Sequence, residues 1–265
     1  MLPTYTINHS DSATNNTKSY TVAAAHPPIT TQKMMGFVLL AAAVASVLIT
    51  IRLVLVLPKR VLCKSFKGKS GKRFCANSKS YRTMVVLGSG GHTSEMLSLL
   101  RNLNIKKYSP MIFVASNTDK FSEKRLHSWQ RKYRSDENPY KVRYISRSRE
   151  VNQPFFTTIF TTLKSLFECM SLIYETMPDV ILCDGPGTCL PPCYICFLFN
   201  FFGLRNTKII FVESFARVNS LSLTGKLVLF VANRFIVQWK ETLDVKFLGK
   251  RLGDYWNCEY AGIVI

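Results

Sequence analysis

The sequence predicts an α/β chain: one Rossmann-like, doubly wound, mainly parallel sheet preceded by a single transmembrane helix. Three observations predict it. Short Val-, Ile- and Phe-rich segments alternate with helical patterns between residues 83 and 238. The first of these segments runs into a glycine-rich turn, Gly88-Ser89-Gly90-Gly91-His92-Thr93. Upstream, residues 34–51 carry no charge at all.

Residues 1–33 are rich in Thr, Ser, Asn and Ala, lack a core-forming pattern, and are expected to be disordered. They hold the two N-x-[ST] sequons of the chain, Asn8 and Asn15. Residues 34–57 span about 36 Å as a helix, against a hydrocarbon core of about 30 Å. Arg52 lies near the end of this stretch, where its stem lets the guanidinium reach the headgroups. A cleaved signal peptide fits poorly, because 33 residues precede the apolar run and no basic segment opens the chain. A buried core helix fits worse, since nine Lys/Arg follow between Lys59 and Arg82. Lys18 and Lys33 are the only basic residues upstream, so the charge asymmetry places residues 58–265 on the cytosolic side and the tail across the membrane. Residues 58–80 read as a basic juxtamembrane linker.

Residues 81–265 read as one domain. Strands are predicted at Thr83–Leu87, Met111–Ser116, Lys141–Ser146, Val180–Cys183, Lys208–Val212 and Phe235–Gln238. Helices are predicted at Thr93–Asn102, Asp119–Lys132, Phe156–Glu175, Pro192–Phe201 and Ser222–Ala232. In such sheets ligands bind at the carboxyl ends of strands, which brings together the loops Gly88–Thr93, Asp184–Thr188 and Glu213–Val218.

The formal charge of +19 suits phosphate ligands, an anionic membrane or nucleic acid. No nucleic-acid motif accompanies it. Ten Lys/Arg between Lys120 and Arg149 read as a solvated face or as a surface lying against anionic headgroups. Cys189, Cys193 and Cys196 have a spacing that can ligate a cluster, but they straddle Pro191-Pro192 and run into an apolar helix. They are expected to be reduced core residues, with no metal site.

Glycines let backbone approach a ligand, and the following helix offers free N–H groups, so an anion, most often a phosphate or diphosphate, suits Gly88–Thr93. The chain has no Walker loop. The dinucleotide fingerprint is only partly matched: Thr93 replaces the third glycine, and Ser116-Asn117-Thr118 lacks the ribose-binding acid. His92 reads as a general base, a phosphate contact, or a histidine that merely bonds the backbone at a bend.

Gly88-Ser89-Gly90-Gly91-His92-Thr93-Ser94-Glu95-Met96 resembles the glycine loop of lipid-linked glycosyltransferases with the GT-B fold, including the bacterial enzyme that glycosylates lipid I. The nearer resemblance is to the membrane-anchoring subunits of the two-part N-acetylglucosaminyltransferase of the dolichol pathway. Three further stretches carry it: Arg147-Ser148-Arg149-Glu150-Val151, Asp184-Gly185-Pro186-Gly187-Thr188, and Val212-Glu213-Ser214-Phe215-Ala216-Arg217-Val218. The resemblance covers residues 81–265 and the anchor; the long N-terminal tail departs from the family's compact pattern.

This resemblance implies one half of a GT-B fold, with the other half on a soluble catalytic subunit carrying the UDP-N-acetylglucosamine site. It places the chain in the endoplasmic reticulum membrane, with dolichyl-diphospho-N-acetylglucosamine as acceptor and no cofactor. Gly88, Ser89, Gly90, Gly91 and Thr93 would cradle the acceptor diphosphate, with Arg147, Arg149 and Arg217 offsetting its charge. His92 and then Glu213 are the candidate catalytic residues. Asp184, Gly185 and Gly187 form the neighbouring loop, where Asp184 also reads as a turn residue. The apolar terminus Gly262-Ile263-Val264-Ile265 is expected to dock on the soluble partner, with docking on its own sheet as the rival. A self-sufficient tethered enzyme, a dehydrogenase or an unpartnered transferase, is the alternative function.

Overall fold

The computed structural model describes residues 4–10, 17–23, 29–57, 80–133, 140–147 and 153–263. It divides into two units, Met1–Arg52 and Leu53–Ile265.

In the first unit, β1 (Thr4–Ser10) pairs antiparallel with β2 (Thr17–Ala23). This corrects the expectation of a structureless tail: TYTINHS and TKSYTVA are dense in β-branched and aromatic residues, which suit a pleated ladder. Helix α1 (Ile29–Val56) starts five residues before the charge-free run. Within it Lys33–Val56, 24 residues, is long and apolar enough to cross a membrane. Phe37, Leu40 and Leu48 are among its exposed side chains. The Ser46 and Thr50 hydroxyls donate to Ala43 O and Ser46 O of the helix itself, so neither needs water.

The second unit holds a seven-stranded, wholly parallel sheet. Its strands are β3 (Thr83–Val86), β4 (Met111–Ser116), β5 (Lys141–Ile145), β6 (Val180–Asp184), β7 (Lys208–Val212), β8 (Arg234–Val237) and, after the short hairpin of β9 (Lys246–Phe247) and β10 (Lys250–Arg251), β11 (Cys258–Tyr260). The spatial order is β11-β8-β7-β6-β3-β4-β5. Six strands and five helices match the predicted ones within a few residues. The helices are α2 (Gly91–Leu99), α3 (Lys120–Tyr133), α4 (Phe155–Thr176), α5 (Leu190–Phe201) and α6 (Leu223–Val228).

Burial on both faces explains why the central strands are apolar runs rather than alternating patterns. Along β3, Met84 and Val86 join the core with Ile173, Cys193 and Ile195 of α4 and α5, while Val85 packs with Leu97 and Trp129 of α2 and α3. Cys183, Cys189, Cys193 and Cys196 are all buried in the first of these layers, as small hydrophobes. Pro191 and Pro192 occupy the first turn of α5, where missing N–H groups cost nothing.

The segment before the carboxyl terminus adds a strand that the sequence did not predict. Cys258–Tyr260 adds a seventh strand to β8, Ala261 N–H donates to Val237 O, and Tyr255 and Asn257 are buried. Through residue 261 the segment therefore docks on its own sheet, because β8 would otherwise be an open edge. Ile263 remains 58% exposed. Val264 and Ile265 lie outside the described residues.

Candidate active site

Strand order fixes where the site lies. From β3 the chain builds outward to β4 and β5 on one side, then returns to place β6, β7 and β8 on the other. The crevice beyond the carboxyl ends of β3 and β6 is the topological switch point, where ligands of open α/β sheets bind. The glycine turn, the Asp184 loop and the Glu213 loop converge there.

Gly90 adopts φ +65° at the amino end of α2, and no side chain caps this helix, so its first N–H groups stay available to an anion. Among the described residues nothing lies within 4 Å of a Cβ on Gly90 or Gly91, so they leave the space in front of this backbone open. Ser89, Gly90 and Gly91 are exposed. Gly88 is different: a Cβ there would lie 2.5 Å from Pro186 Cγ and 2.7 Å from His92 Cβ, so it serves packing. Thr93 is also turned inward. Its hydroxyl donates to Gly88 O and lies against the Ser122 hydroxyl, which donates to Asp119. The expected diphosphate contact is therefore left to its backbone, because its side chain holds the turn to α3. The Arg125 guanidinium bonds Gly90 O and, at 2.9 Å, Ser94 Oγ.

His92 occupies the first turn of α2. Its Nδ1 lies 3.9 Å from Asp184 Oδ1 and 3.9 Å from Glu95 Oε2. Nδ1 is buried without a hydrogen bond although the ring is 32% exposed, so the accessible edge carries Nε2. Gly185, at φ +60°, makes this seat possible: a Cβ there would stand 2.6 Å from His92 Cε1. Asp184 is 1% exposed and both its carboxylate oxygens lack hydrogen-bond partners. Burial pushes its carboxyl up to about 7, against the opposing pull of His92. The neighbouring Asp184 carboxylate raises the His92 pKa above its ordinary value, although burial works against it. Each group therefore shifts the other: Asp184 favours the protonated imidazole, and His92 favours the ionised carboxylate. At 3.9 Å the pair is in electrostatic contact, a spacing that commonly tightens when substrate binds.

His92, Glu95 and Asp184 offer donor atoms within 4.8 Å of one another, the one such group among the described residues with the convergence to hold a cation. Glu95 is already engaged, accepting from Ser214 Oγ at 3.2 Å and Phe215 N at 3.4 Å.

Glu213 does not reach this centre as a free carboxylate. It is buried, and accepts from Ser214 N–H (3.1 Å), Ser222 N–H (3.2 Å) and the Ser222 hydroxyl (3.1 Å). Burial raises its pKa, opposed by these bonds. Gly225 lets α6 approach: a Cβ would sit 2.2 Å from Glu213 Oε2. Glu213 thus ties the 213–222 loop to the start of α6. Arg217 is exposed on that loop with its Nη1 3.4 Å from Ser220 Oγ. Arg147 is half-buried after β5, and Arg149 lies outside the described residues. Gly187 is exposed, and a Cβ there would meet nothing within 4 Å, so nothing steric requires glycine at that position.

Sequence reasoning passed over Glu95 and Arg125. Glu95 had a local signal, since i, i+3 spacing puts it on the His92 side of α2. Arg125 had none, because its contact with Gly90 joins residues 35 apart in sequence.

Residues 83–255 match the family model described as oligosaccharide biosynthesis protein Alg14 like. The UDP-N-acetylglucosamine transferase subunit ALG14 of Yarrowia lipolytica is 34% identical over 232 residues, covering 88% of this chain and 100% of the relative. The subunit of the same name from Homo sapiens is 42% identical over 166 residues, covering 60% of this chain and 76% of the relative. Among solved structures, MurG of Acinetobacter baumannii superposes with a TM-score of 0.47 at 15% identity. That match covers 63% of this chain and 43% of the enzyme, so the chain spans less than half of its length.

Proposed function

Because the chain belongs to the Alg14-like family of oligosaccharide-biosynthesis proteins, we propose that it is the membrane-anchoring, acceptor-binding subunit of a two-part UDP-N-acetylglucosamine transferase. In this reading α1 holds the chain in the endoplasmic reticulum membrane with the sheet on the cytosolic side. A soluble catalytic subunit supplies the UDP-N-acetylglucosamine site. The acceptor is dolichyl-diphospho-N-acetylglucosamine, and the step is the second in assembly of the lipid-linked oligosaccharide for protein N-glycosylation. Exposed Phe156, Phe160, Leu163 and Phe167 on α4 suit work beside an apolar phase.

One observation carries the reading: an uncapped, glycine-led helix start opens onto free space beside a histidine whose inner edge faces a buried carboxylate. The helix start receives the acceptor diphosphate. Asp184 orients the His92 ring by holding a proton on Nδ1, which leaves Nε2 as the base. Nε2 takes the proton of the acceptor hydroxyl as that oxygen bonds to the anomeric carbon of the donor sugar. The bond from that carbon to the UDP oxygen breaks, and UDP leaves with the electron pair. Glu213 is a positioning residue that holds the loop bearing Arg217.

Reconstitution tests this reading. The full chain in nanodiscs should transfer N-acetylglucosamine only when the soluble subunit is added. Full transfer by the chain alone would instead establish the self-sufficient tethered enzyme.

A further inference from the structure

The cleft between α2 and α3 faces away from the α4–α5 layer and has no place in the transfer chemistry above. It is a shallow, open depression of ≈ 460 Å³ lined by Arg101, Lys124, Arg125 and Lys132, with Ser94 and Ser128 between them. Among the described residues no acidic side chain lines it. Arg101 and Lys132 stand over the same ring, 5.2 Å and 5.4 Å from the Tyr133 centroid. A ring face attracts each cation, but it also holds the two charges together. Among the described residues neither these two nor Lys124 pairs with a carboxylate, whereas His127 on the same helix faces Glu123 at 3.8 Å.

A solvated basic face spreads its charges outward over a convex surface. Here four exposed cations and two hydroxyls line one shallow depression, and a bound anion would relieve their mutual repulsion. Guanidinium forks and hydroxyl donors match phosphate oxygens in geometry as well as charge. We propose that the α2–α3 cleft is a second anion site, taking a phosphate monoester or diphosphate group. This site is independent of the acceptor reading, although Arg125 touches both the cleft and the glycine turn.

Lysine footprinting tests it site by site. The full chain in phosphatidylcholine nanodiscs is treated with an amine-reactive label, with and without inorganic pyrophosphate at matched ionic strength, and read by peptide mass spectrometry. At about twice the dissociation constant the unoccupied fraction falls to about a third, so labelling of Lys132 and Lys124 should drop roughly threefold. Lys250, exposed on β10, should not change. Arg101→Gln should raise the pyrophosphate concentration needed by about tenfold, through loss of a charge-assisted bond. Gly91→Val, which strikes the acceptor site, should leave the protection intact. Nanodiscs containing phosphatidic acid identify the source: protection without pyrophosphate marks a lipid headgroup, and protection by pyrophosphate alone marks a soluble phosphate. Absence of protection in both arms, or equal protection of Lys250, would overturn the proposal.

Discussion

Replacing Asp184 by Asn removes the charge behind His92 while keeping the shape, and its consequences have a definite sign. Burial raises the Asp184 carboxyl from 3.8 to about 7. At about 1.4 kcal/mol per pKa unit, that rise sets a ceiling of about 4 kcal/mol on what ionisation costs the fold. The folded pKa is above the unfolded one. Below pH ~4 the group is therefore neutral in both states and costs nothing. As pH rises toward about 7 the unfolded chain ionises first, and stability falls. His92, also raised, adds stability below its unfolded value that is lost as pH climbs through the folded one, so both groups act in the same direction. An Asn leaves the orphaned site polar at every pH, costing roughly 1–3 kcal/mol throughout. The diagnostic quantity is thus the change in Tm difference between about pH 4.5 and pH 8, measured by differential scanning fluorimetry of the full chain in detergent. The variant should gain on the wild type by several degrees across that range, at about 2–4 °C per kcal/mol for a domain of this size. Transfer should fall by about 10²–10⁴, as His92 loses its orienting partner. The acidic limb of the pH–rate profile should move to lower pH, because the carboxylate that raises His92 is gone. A Tm difference that is flat with pH would refute the placement of a buried carboxylate against His92.

Two other substitutions follow from the same geometry. Gly185→Ala adds a methyl 2.6 Å from His92 Cε1 at φ +60°, so it should displace the ring and cost about 1–3 kcal/mol. Slowed transfer with an altered pH–rate profile is the expected readout, and wild-type kinetics would count against the seat. Glu213→Ala strands the Ser214 N–H and both Ser222 donors, at an expected cost of about 2–4 kcal/mol, while Glu213→Gln should recover much of the stability and the rate. A Gln variant folded like the wild type yet inactive would return Glu213 to a catalytic role.

Much of the fold was legible because burial on both faces leaves strong local marks: apolar runs of strand length, proline at a helix start, and glycine where backbone turns. The last strand escaped because Cys258-Glu259-Tyr260 is three residues long and takes its identity from pairing with β8. The amino-terminal hairpin escaped because its Thr- and Ser-rich composition masks the spacing of Tyr, Ile and Val along the two strands. At the site, the glycine turn and His92 were marked by sequence, but the pairing of His92 with Asp184 joins residues 92 apart, brought together by adjacent parallel strands. Glu213 looked catalytic from its place at a strand end. Only the fold shows its oxygens filled by Ser214 and Ser222.

The central claim is that this chain binds the acceptor diphosphate at the start of α2, and Gly91→Val tests it most directly. No atom of the described residues lies within 4 Å of the added Cβ and the residue needs no positive φ, so the variant should fold normally. Its isopropyl group would stand where the anion approaches the helix N–H groups. With the soluble subunit present, the KM for the lipid-diphosphate acceptor should rise by about tenfold or more, the equivalent of one charge-assisted hydrogen bond. The KM for UDP-N-acetylglucosamine should stay unchanged. An unaltered acceptor KM, or a rise confined to the sugar nucleotide, would contradict the account.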